Sequence, residues 1–294
     1  MTPAFSLSGI SKRYPDFTLQ DIHLQLPEGQ VMGLVGANGA GKTTLLRLLT
    51  GLAAADAGSV EVLGHRLPEA QVAAKCDIGF ASEDMRLYKG QSLRWHMDLV
   101  SRIYPGWDAT YAEQLLKRFD VRADQKVGGF SHGQRVKALL LLCLARRPRL
   151  LLLDEPTTGL DPVARMEVLE ALADVLRDEQ RSVLFSSHNT HDIEQLADSI
   201  TFLHQGRLVA SADKDRFLES WRRVVCQGSM PDGLAAWPEV ASARANGSVV
   251  EIKVRAWNDD LPGRLAAQGL QVQRSDAMNL EDIFITSVRS GAPA

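Results

Sequence analysis

Residues 36–43 could hold a phosphate group. Their sequence, Gly-Ala-Asn-Gly-Ala-Gly-Lys-Thr, fits the pattern G-x-x-x-x-G-K-[ST] between an apolar run and a helical pattern. In such a loop the glycines let backbone N–H groups converge on an anion, and the helix that follows points its positive end at it. The alternative is a plain glycine-rich turn, which the flanking strand and helix patterns disfavour. The predicted binding residues are Gly36, Asn38, Gly39, Ala40, Gly41, Lys42, Thr43 and Thr44, with Lys42 reaching the β- and γ-phosphates and the Thr43 hydroxyl coordinating Mg²⁺.

Two adjacent carboxylates follow a second apolar run. Asp154 and Glu155 come directly after four leucines, and ligands in doubly wound sheets bind at the carboxyl ends of the strands. We expect Asp154 to hold Mg²⁺, directly or through water. Glu155 is expected to orient and deprotonate the water that attacks the γ-phosphate, a role that contributes about 10²–10⁴ in rate. Taken alone, the two acids could also be a polar strand end before a turn.

A second candidate anion-binding helix end lies at residues 130–134, Phe-Ser-His-Gly-Gln. Ser131 is a favourable N-cap for the apolar helix predicted after it. This pentapeptide resembles the signature motif of the ATP-binding cassette (ABC) family, whose usual form is Leu-Ser-Gly-Gly-Gln. The motif precedes the two carboxylates in the chain, as it does in that family.

Further motifs of this family occur in the family's order over about residues 5–212. Tyr14 resembles the aromatic residue that stacks on adenine, residues 158–161 resemble the D-loop, and His188 resembles the switch histidine that contacts the γ-phosphate. By themselves, Tyr14 could be a surface aromatic and His188 a strand-end histidine. The resemblance implies an ATPase with ATP and Mg²⁺ as its ligands. It implies that Lys42, Glu155 and His188 are catalytic, and that Tyr14, Ser131, His132, Gly133, Gln134 and Asp161 contact nucleotide.

Two positions depart from the family pattern. Glu83 stands where the family usually has a glutamine that coordinates Mg²⁺, so it adds a negative charge near phosphates. Our hypothesis is that Glu83 is a Mg²⁺-linked coupling residue, and the alternative is a solvent-facing acid. His132 replaces the first glycine of the signature. It could place a pH-sensitive charge near the nucleotide of a partner subunit, or be tolerated because it points outward.

The elements that must position these residues predict an α/β fold. Short apolar runs at 30–35, 150–153 and 182–186 are typical of buried parallel strands, with helices at 42–50, 162–177 and 191–197. Alternation at 5–10 and 19–26 predicts an antiparallel flank. Helical spacing over 92–119 is broken at Pro105 and Gly106 and predicts a helical insert. The expected fold is a P-loop NTPase cassette of the ABC type with a mostly parallel sheet, an antiparallel flank and a helical insert at about 90–145.

The pattern restarts after about residue 217. Strands are predicted at 223–226, 249–254 and 271–273, and helices at 261–268 and 280–288. The sequence therefore predicts an ABC ATPase domain over 1–217 and a small C-terminal α+β accessory domain over 218–294.

Composition excludes several classes of protein. The chain has 294 residues, 45% hydrophobic and 23% charged, with a formal net charge of −3, which disfavours disordered and fibrous classes and a polyanion partner. Three well-separated cysteines fit reduced thiols. The start has no secretory pattern, and the longest apolar stretch, 138–145, is too short to span a bilayer. We therefore expect a cytoplasmic protein that is peripheral on the inner face of the membrane.

The resemblance implies two protein partners, a second copy of the chain and a membrane protein. The signature of one subunit closes the phosphate site of the other, so a second copy is expected in a head-to-tail dimer. A separate transmembrane permease is expected to dock on the surface around residues 83–88. The Glu-for-Gln change and residues 279–285 resemble ABC-2-type exporters. An importer ATPase is the alternative, followed by an ABC ATPase acting on nucleic acid or the ribosome; no nucleic acid is expected.

Overall fold

The protein is described by a computed structural model over residues 3–176 and 181–290. The strands are β1 (Pro3–Tyr14), β2 (Phe17–Pro27), β3 (Val31–Val35), β4 (Ala57–Val62), β5 (His65–Leu67), β6 (Ile78–Ser82), β7 (Leu150–Asp154), β8 (Ser182–Ser187), β9 (Ser199–His204), β10 (Arg207–Asp213), β11 (Arg222–Gln227), β12 (Val240–Asn246), β13 (Val249–Val254) and β14 (Gln271–Ala277). The helices are α1 (Lys42–Leu49), α2 (Gln71–Asp77), α3 (Leu93–Ile103), α4 (Ala109–Arg118), α5 (His132–Leu144), α6 (Pro162–Leu176), α7 (Thr190–Leu196), α8 (Lys214–Ser220), α9 (Leu261–Ala267) and α10 (Leu280–Ser290).

A six-stranded sheet forms the centre of the cassette, in the order β10-β9-β3-β8-β7-β6. The five strands from β9 to β6 are parallel, and β10 pairs antiparallel at the edge. Every residue of β3, β7 and β8 is buried, because helices and the second sheet cover both faces. The predicted buried strands are confirmed. The predicted helix at 162–177 is α6, and its last residue lies outside the described residues.

The edge hairpin β9–β10 was absent from the sequence prediction. Gln205 and Gly206 form its two-residue turn and both have positive φ, 45° and 75°, which is the backbone of a type I′ turn. The missed signal was two apolar runs separated by Gln-Gly. The four strands β2-β1-β4-β5 make the antiparallel flank, and their apolar side chains pack with α1 against the central sheet.

The predicted helical insert is confirmed as α3, α4 and α5. Ser92 and Asp108 cap α3 and α4 by accepting from the backbone N–H groups of Trp95 and Tyr111 at 3.2 and 2.8 Å. Apolar side chains of all three helices join the core on one face of the central sheet. Within residues 3–176 and 181–290, no helix has the length and apolar character needed to cross a bilayer.

The chain after α8 forms a third sheet, β12-β13-β11-β14, with its own apolar cluster under α9. The expected boundary between residues 217 and 218 falls inside α8. The closing helix α10 lies between this sheet and the cassette. Arg223 of β11 pairs with Asp282 at 3.1 Å, while Leu280 and Ile283 are fully buried in the cassette core that includes Phe202. The rings of Phe284 and Phe202 lie 5.3 Å apart. Residues near the end of the described chain therefore complete the core beside α7.

Candidate functional site

The loop between β3 and α1 has the backbone shape of an anion cradle. Gly39 and Gly41 have φ of 78° and 110°, a region that favours glycine. A Cβ on Gly36 would lie 2.5 Å from the carbonyl oxygen of Leu203, and one on Gly41 would lie 2.6 Å from the ring of Phe17. The backbone N–H of Gly206 in the β9–β10 turn supports the loop by donating to Ala40 O at 3.0 Å. The sequence pattern therefore forms the expected loop, held from behind by an unpredicted hairpin.

Lys42 is buried at the first position of α1. Its Nζ donates to the carbonyl oxygen of Gly36 at 2.7 Å and forms an ion pair with Oε1 of Glu155 at 3.1 Å. A buried ammonium group requires a charged or hydrogen-bonding partner. Lys42 thus holds its charge at the mouth of the loop, where a phosphate would compete with Glu155 for it.

Asp154 ends β7 between two neighbouring strands in register. Ser82 of β6 and Ser186 of β8 flank it, and Ser186 Oγ donates to Oδ1 of Asp154 at 2.7 Å. Thr43 Oγ1 donates to Oδ2 of Asp154 at 2.7 Å. The packing of α1 beside the end of β7 therefore brings together the hydroxyl and the carboxylate that were predicted for the metal.

These two oxygens suit Mg²⁺, a hard cation that proteins bind through one or two carboxylates together with phosphate oxygens and water. Among the described residues, no group of three or more His, Cys, Asp and Glu side chains could hold a metal without other ligands. The donor set of Thr43 and Asp154 therefore fits a metal that arrives with a nucleotide.

Glu155 begins the turn after β7 with φ of 53°, a conformation that costs a non-glycine residue about 1–3 kcal/mol. Its N–H donates to the carbonyl oxygen of Ser186 at 3.2 Å, which fixes the turn. Oε2 accepts from Thr158 Oγ1 at 2.9 Å and lies 2.7 Å from Nδ1 of His188. The predicted base and the predicted switch histidine are therefore in direct contact within one chain.

Competing effects set the pKa of Glu155. Burial raises it, but the positive charge of Lys42 and the hydrogen bonds from His188 and Thr158 outweigh burial, so the pKa lies below its usual value. The carboxyl group is ionised at neutral pH. It is therefore able to accept a proton.

An open cleft of about 560 Å³ adjoins the loop. Tyr14 lines it and is 37% exposed, with Nζ of Lys12 5.6 Å from the ring centroid. Sequence analysis did not identify Asp16, Phe17 and Arg47, which line the same cleft. Tyr14 therefore lines the same cleft as the loop residues and Glu155.

The signature residues lie elsewhere. The side chains of Ser131 and Gln134 form a reciprocal capping box at the start of α5, at 3.2 and 3.0 Å. Neither residue lines the nucleotide cleft, and nor do His132 and Gly133. Asp161 also lies outside it; its carboxylate caps α6 by accepting from two backbone N–H groups at 3.0 Å.

Glu83 follows the last residue of β6 and lines a second cavity of about 460 Å³ together with Asp154 and Glu155. Its side chain is exposed, and its carbonyl oxygen accepts from Arg86 at 2.8 Å. Lys42 and Thr43 line the first cleft. The metal-linked role of Glu83 stays a prediction.

Sequence analysis missed a buried network behind the site. The Asp192 carboxylate on α7 is fully buried and accepts from Thr157 Oγ1 at 2.6 Å and from Nε of Arg165 at 2.7 Å. Thr157 lies two residues after Glu155, and α7 begins two residues after His188. The network therefore connects the segments that contain Glu155 and His188 to α6.

The chain resembles known proteins in both sequence and fold. The profile of the family described as "ABC transporter" matches residues 19–158. The chain is 34% identical over 206 residues to the ABC transporter ATP-binding protein YtrB of Bacillus subtilis (strain 168). The aligned region covers 70% of each chain. It is 30% identical over 302 residues to the Nod factor export ATP-binding protein I of Neorhizobium galegae, which covers 97% of this chain and 84% of that protein. The solved structure of an ATP-binding subunit of an ABC transporter superimposes with a TM-score of 0.67 and 27% identity, over 74% of this chain and 92% of that one.

Proposed function

The chain belongs to the ABC transporter family as an ATP-binding ATPase subunit, and from this premise we propose that it drives export through Mg²⁺-dependent ATP hydrolysis in a head-to-tail dimer. The observation that supports the hydrolytic site is the contact of Glu155 with both Lys42 and His188, at 3.1 and 2.7 Å. These distances bring a phosphate-binding cation, a carboxylate base and an orienting imidazole to one point at the edge of the sheet.

Each side chain has a task in this mechanism. The loop N–H groups and Lys42 bind the β- and γ-phosphates, and Tyr14 stacks on the adenine. Glu155 takes the proton of the attacking water. His188 holds Oε2 of Glu155 through Nδ1, and its exposed ring is available to the γ-phosphate. Mg²⁺, held by Thr43 and Asp154 together with phosphate oxygens, would neutralise negative charge on the phosphates.

The dimer follows from the separation of two surfaces. The capped start of α5, at Ser131, is an anion-binding helix end, yet it does not line the cleft beside Lys42. A second copy can bring its own Ser131, Gly133 and Gln134 to this cleft, and the reverse contact follows from two-fold symmetry. Binding of two ATP molecules closes the dimer, and hydrolysis opens it.

A transmembrane permease is the proposed partner of the dimer, at the cytoplasmic face of a membrane. Met85, which is 40% exposed, lines the cavity that Glu83 also lines. Tyr88 and Trp95 are 66% and 38% exposed, and their rings lie 5.6 Å apart. We assign the surface around these residues, with Glu83 as the coupling residue, to the permease. Export is favoured because a relative with this function in its name matches 97% of the chain, including the C-terminal unit. We propose that residues 218–294 form an accessory domain, anchored in the cassette core by α10, that assists docking or dimer stability.

The experiment that tests this proposal uses the full chain with Glu155→Gln. We expect the variant to bind ATP·Mg²⁺ with wild-type affinity, to hydrolyse it about 10²–10⁴-fold more slowly, and to accumulate as a dimer in size-exclusion chromatography with light scattering. ATPase stimulation of the wild type by a co-expressed membrane protein would identify the permease. A variant that hydrolyses ATP at the wild-type rate would contradict the assignment of Glu155. One that stays monomeric with saturating ATP·Mg²⁺, with and without the permease, would contradict the dimer.

A further inference from the structure

His132 occupies a position where the family usually has glycine, and its ring folds back onto its own chain. Nε2 lies 2.9 Å from the carbonyl oxygen of Thr158. A carbonyl oxygen can only accept, so Nε2 must carry the proton of this hydrogen bond. The ring also covers Gly159, where an added Cβ would lie 3.0 Å from Nε2. The ring therefore contacts the loop after Glu155.

Thr158 links this ring to the catalytic carboxylate. Its hydroxyl donates to Oε2 of Glu155 at 2.9 Å, and its backbone N–H donates to the carbonyl oxygen of Glu155 at 3.2 Å. His188 approaches the same Oε2 at 2.7 Å. Thr158 thus accepts a hydrogen bond from His132 at its carbonyl oxygen, and it donates to Glu155 from its hydroxyl and its backbone N–H.

The residues on either side of His132 fix the position of its ring relative to Thr158. The capping box of Ser131 fixes the first turn of α5, and a Cβ on Gly133 would lie 3.6 Å from Leu160 and 3.9 Å from Ala164. The first turn of α5 therefore packs on residues 158–164. A glycine at position 132 has no side chain with which to bond Thr158.

We propose that His132 is a positioning residue that holds the Glu155 loop in place by donating from Nε2 to Thr158 O. This inference deepens the proposed function and rests on it: the helix end offered to the partner's nucleotide is tied to the base that acts on the chain's own nucleotide. It differs from both roles expected from sequence, because the ring bonds a loop of its own chain.

This hydrogen bond forms with either the neutral or the charged ring. Both the neutral Nε2–H tautomer and the imidazolium ion carry a proton on Nε2. The charged groups around the cavity that His132 lines are Glu83, Arg86, Lys89, Arg135, Asp154 and Glu155. A charge-based role for His132 would act through these groups and would change with pH, whereas the positioning role does not.

The kinetic test compares His132→Leu, His132→Gly and His132→Gln in the full chain. We expect kcat to fall about three- to tenfold in the Leu and Gly variants, the effect of one neutral hydrogen bond, with the KM for ATP within about twofold. Gln retains an N–H donor and should recover at least about half of kcat. The normalised kcat profiles of wild type and Gln should coincide from about pH 5.5 to 8.5, where histidine titrates.

Amide hydrogen exchange in the nucleotide-free protein tests the contact without relying on hydrolysis. Exchange of residues 158–160 should be faster in the Leu and Gly variants than in wild type and Gln, with thermal midpoints checked for all four. A Gln variant as slow as Leu, equal exchange in all four proteins, or a pH profile that shifts only when the imidazole is removed would overturn the proposal. If the wild type had no ATPase activity, the proposed function would fail and the exchange result would decide the positioning role by itself.

Discussion

The ammonium nitrogen of Lys42 lies 3.1 Å from Oε1 of Glu155, so the cation proposed to bind phosphate and the proposed catalytic base form an ion pair within one chain. A phosphate that draws Lys42 toward itself removes the largest single contribution lowering the pKa of Glu155. Burial, which raises that pKa, then has more weight. We therefore expect nucleotide binding to make Glu155 a stronger proton acceptor.

The pH dependence of stability provides a test of this coupling. Because the pKa of Glu155 is lowered by folding, its carboxylate stabilises the protein above the ordinary value of 4.5, and this contribution is lost as the pH falls through the lower folded value. In Lys42→Met the charge and the hydrogen bond of Lys42 are lost, so the contribution should shrink or change sign. Urea unfolding at a series of pH values, for wild type, Lys42→Met and each combined with Glu155→Gln, isolates the carboxylate. Identical pH dependence in the two backgrounds would contradict the coupling.

Tyr14 should contribute to ATP affinity by stacking. Replacement by alanine should weaken ATP binding by about 1–3 kcal/mol, the usual range for a base on an aromatic ring, whereas Tyr14→Phe should bind nearly as wild type does. Isothermal titration calorimetry with ATP·Mg²⁺ gives the Kd. Tyr88→Ala is the matched control, since this more exposed tyrosine lies outside the cleft. Equal affinities of Tyr14→Ala and Tyr88→Ala would remove Tyr14 from the site.

Asp192 should contribute far more to stability than an acid in an exposed ion pair. Asp192→Ala leaves Arg165 and Thr157 without their shared acceptor and should cost about 3–5 kcal/mol in unfolding free energy. Asp124 is 88% exposed and pairs with Arg94 at 3.2 Å, so Asp124→Ala should cost about 0–1 kcal/mol. Chemical denaturation measures both. A difference below the error of the two fits would show that the buried network is not stabilising.

The helix α10 contains one buried and one exposed isoleucine. Ile283 is fully buried and Ile285 is 38% exposed. Ile283→Ala should destabilise the protein by about 2–5 kcal/mol because it leaves a cavity in the cassette core, while Ile285→Ala should change stability by less than about 0.5 kcal/mol. Thermal and urea unfolding of both variants provide the comparison. Equal losses would mean that α10 does not complete this core.

The parts of the site that the sequence could predict are those built from residues close together along the chain. The phosphate loop and its helix lie within residues 36–49, and the capping box spans only Ser131 to Gln134, so local patterns specify both. The prediction of the buried strand before Asp154 also placed that carboxylate at the sheet edge. The position of Ser186 beside Asp154 follows once the register between the parallel strands β7 and β8 is known.

Contacts between distant segments could not be predicted in this way. Asp192, Arg165 and Thr157 form a network only because α6 and α7 pack together, and no periodic pattern connects them. The positive φ of Glu155 depends on its bond to Ser186. The direction of the His132 ring depends on where Thr158 lies in space, which left both sequence-based roles for that residue open.

The helix that completes the cassette core has a consequence for biosynthesis. The apolar surfaces of α7 and β9 are made before residue 205, but Leu280 and Ile283, which cover them, follow only after the whole third sheet. At about 5–20 residues per second, a ribosome leaves this surface uncovered for several seconds. The nascent cassette therefore exposes an apolar surface, to which chaperones and other nascent chains can bind, until the C-terminal segment has emerged.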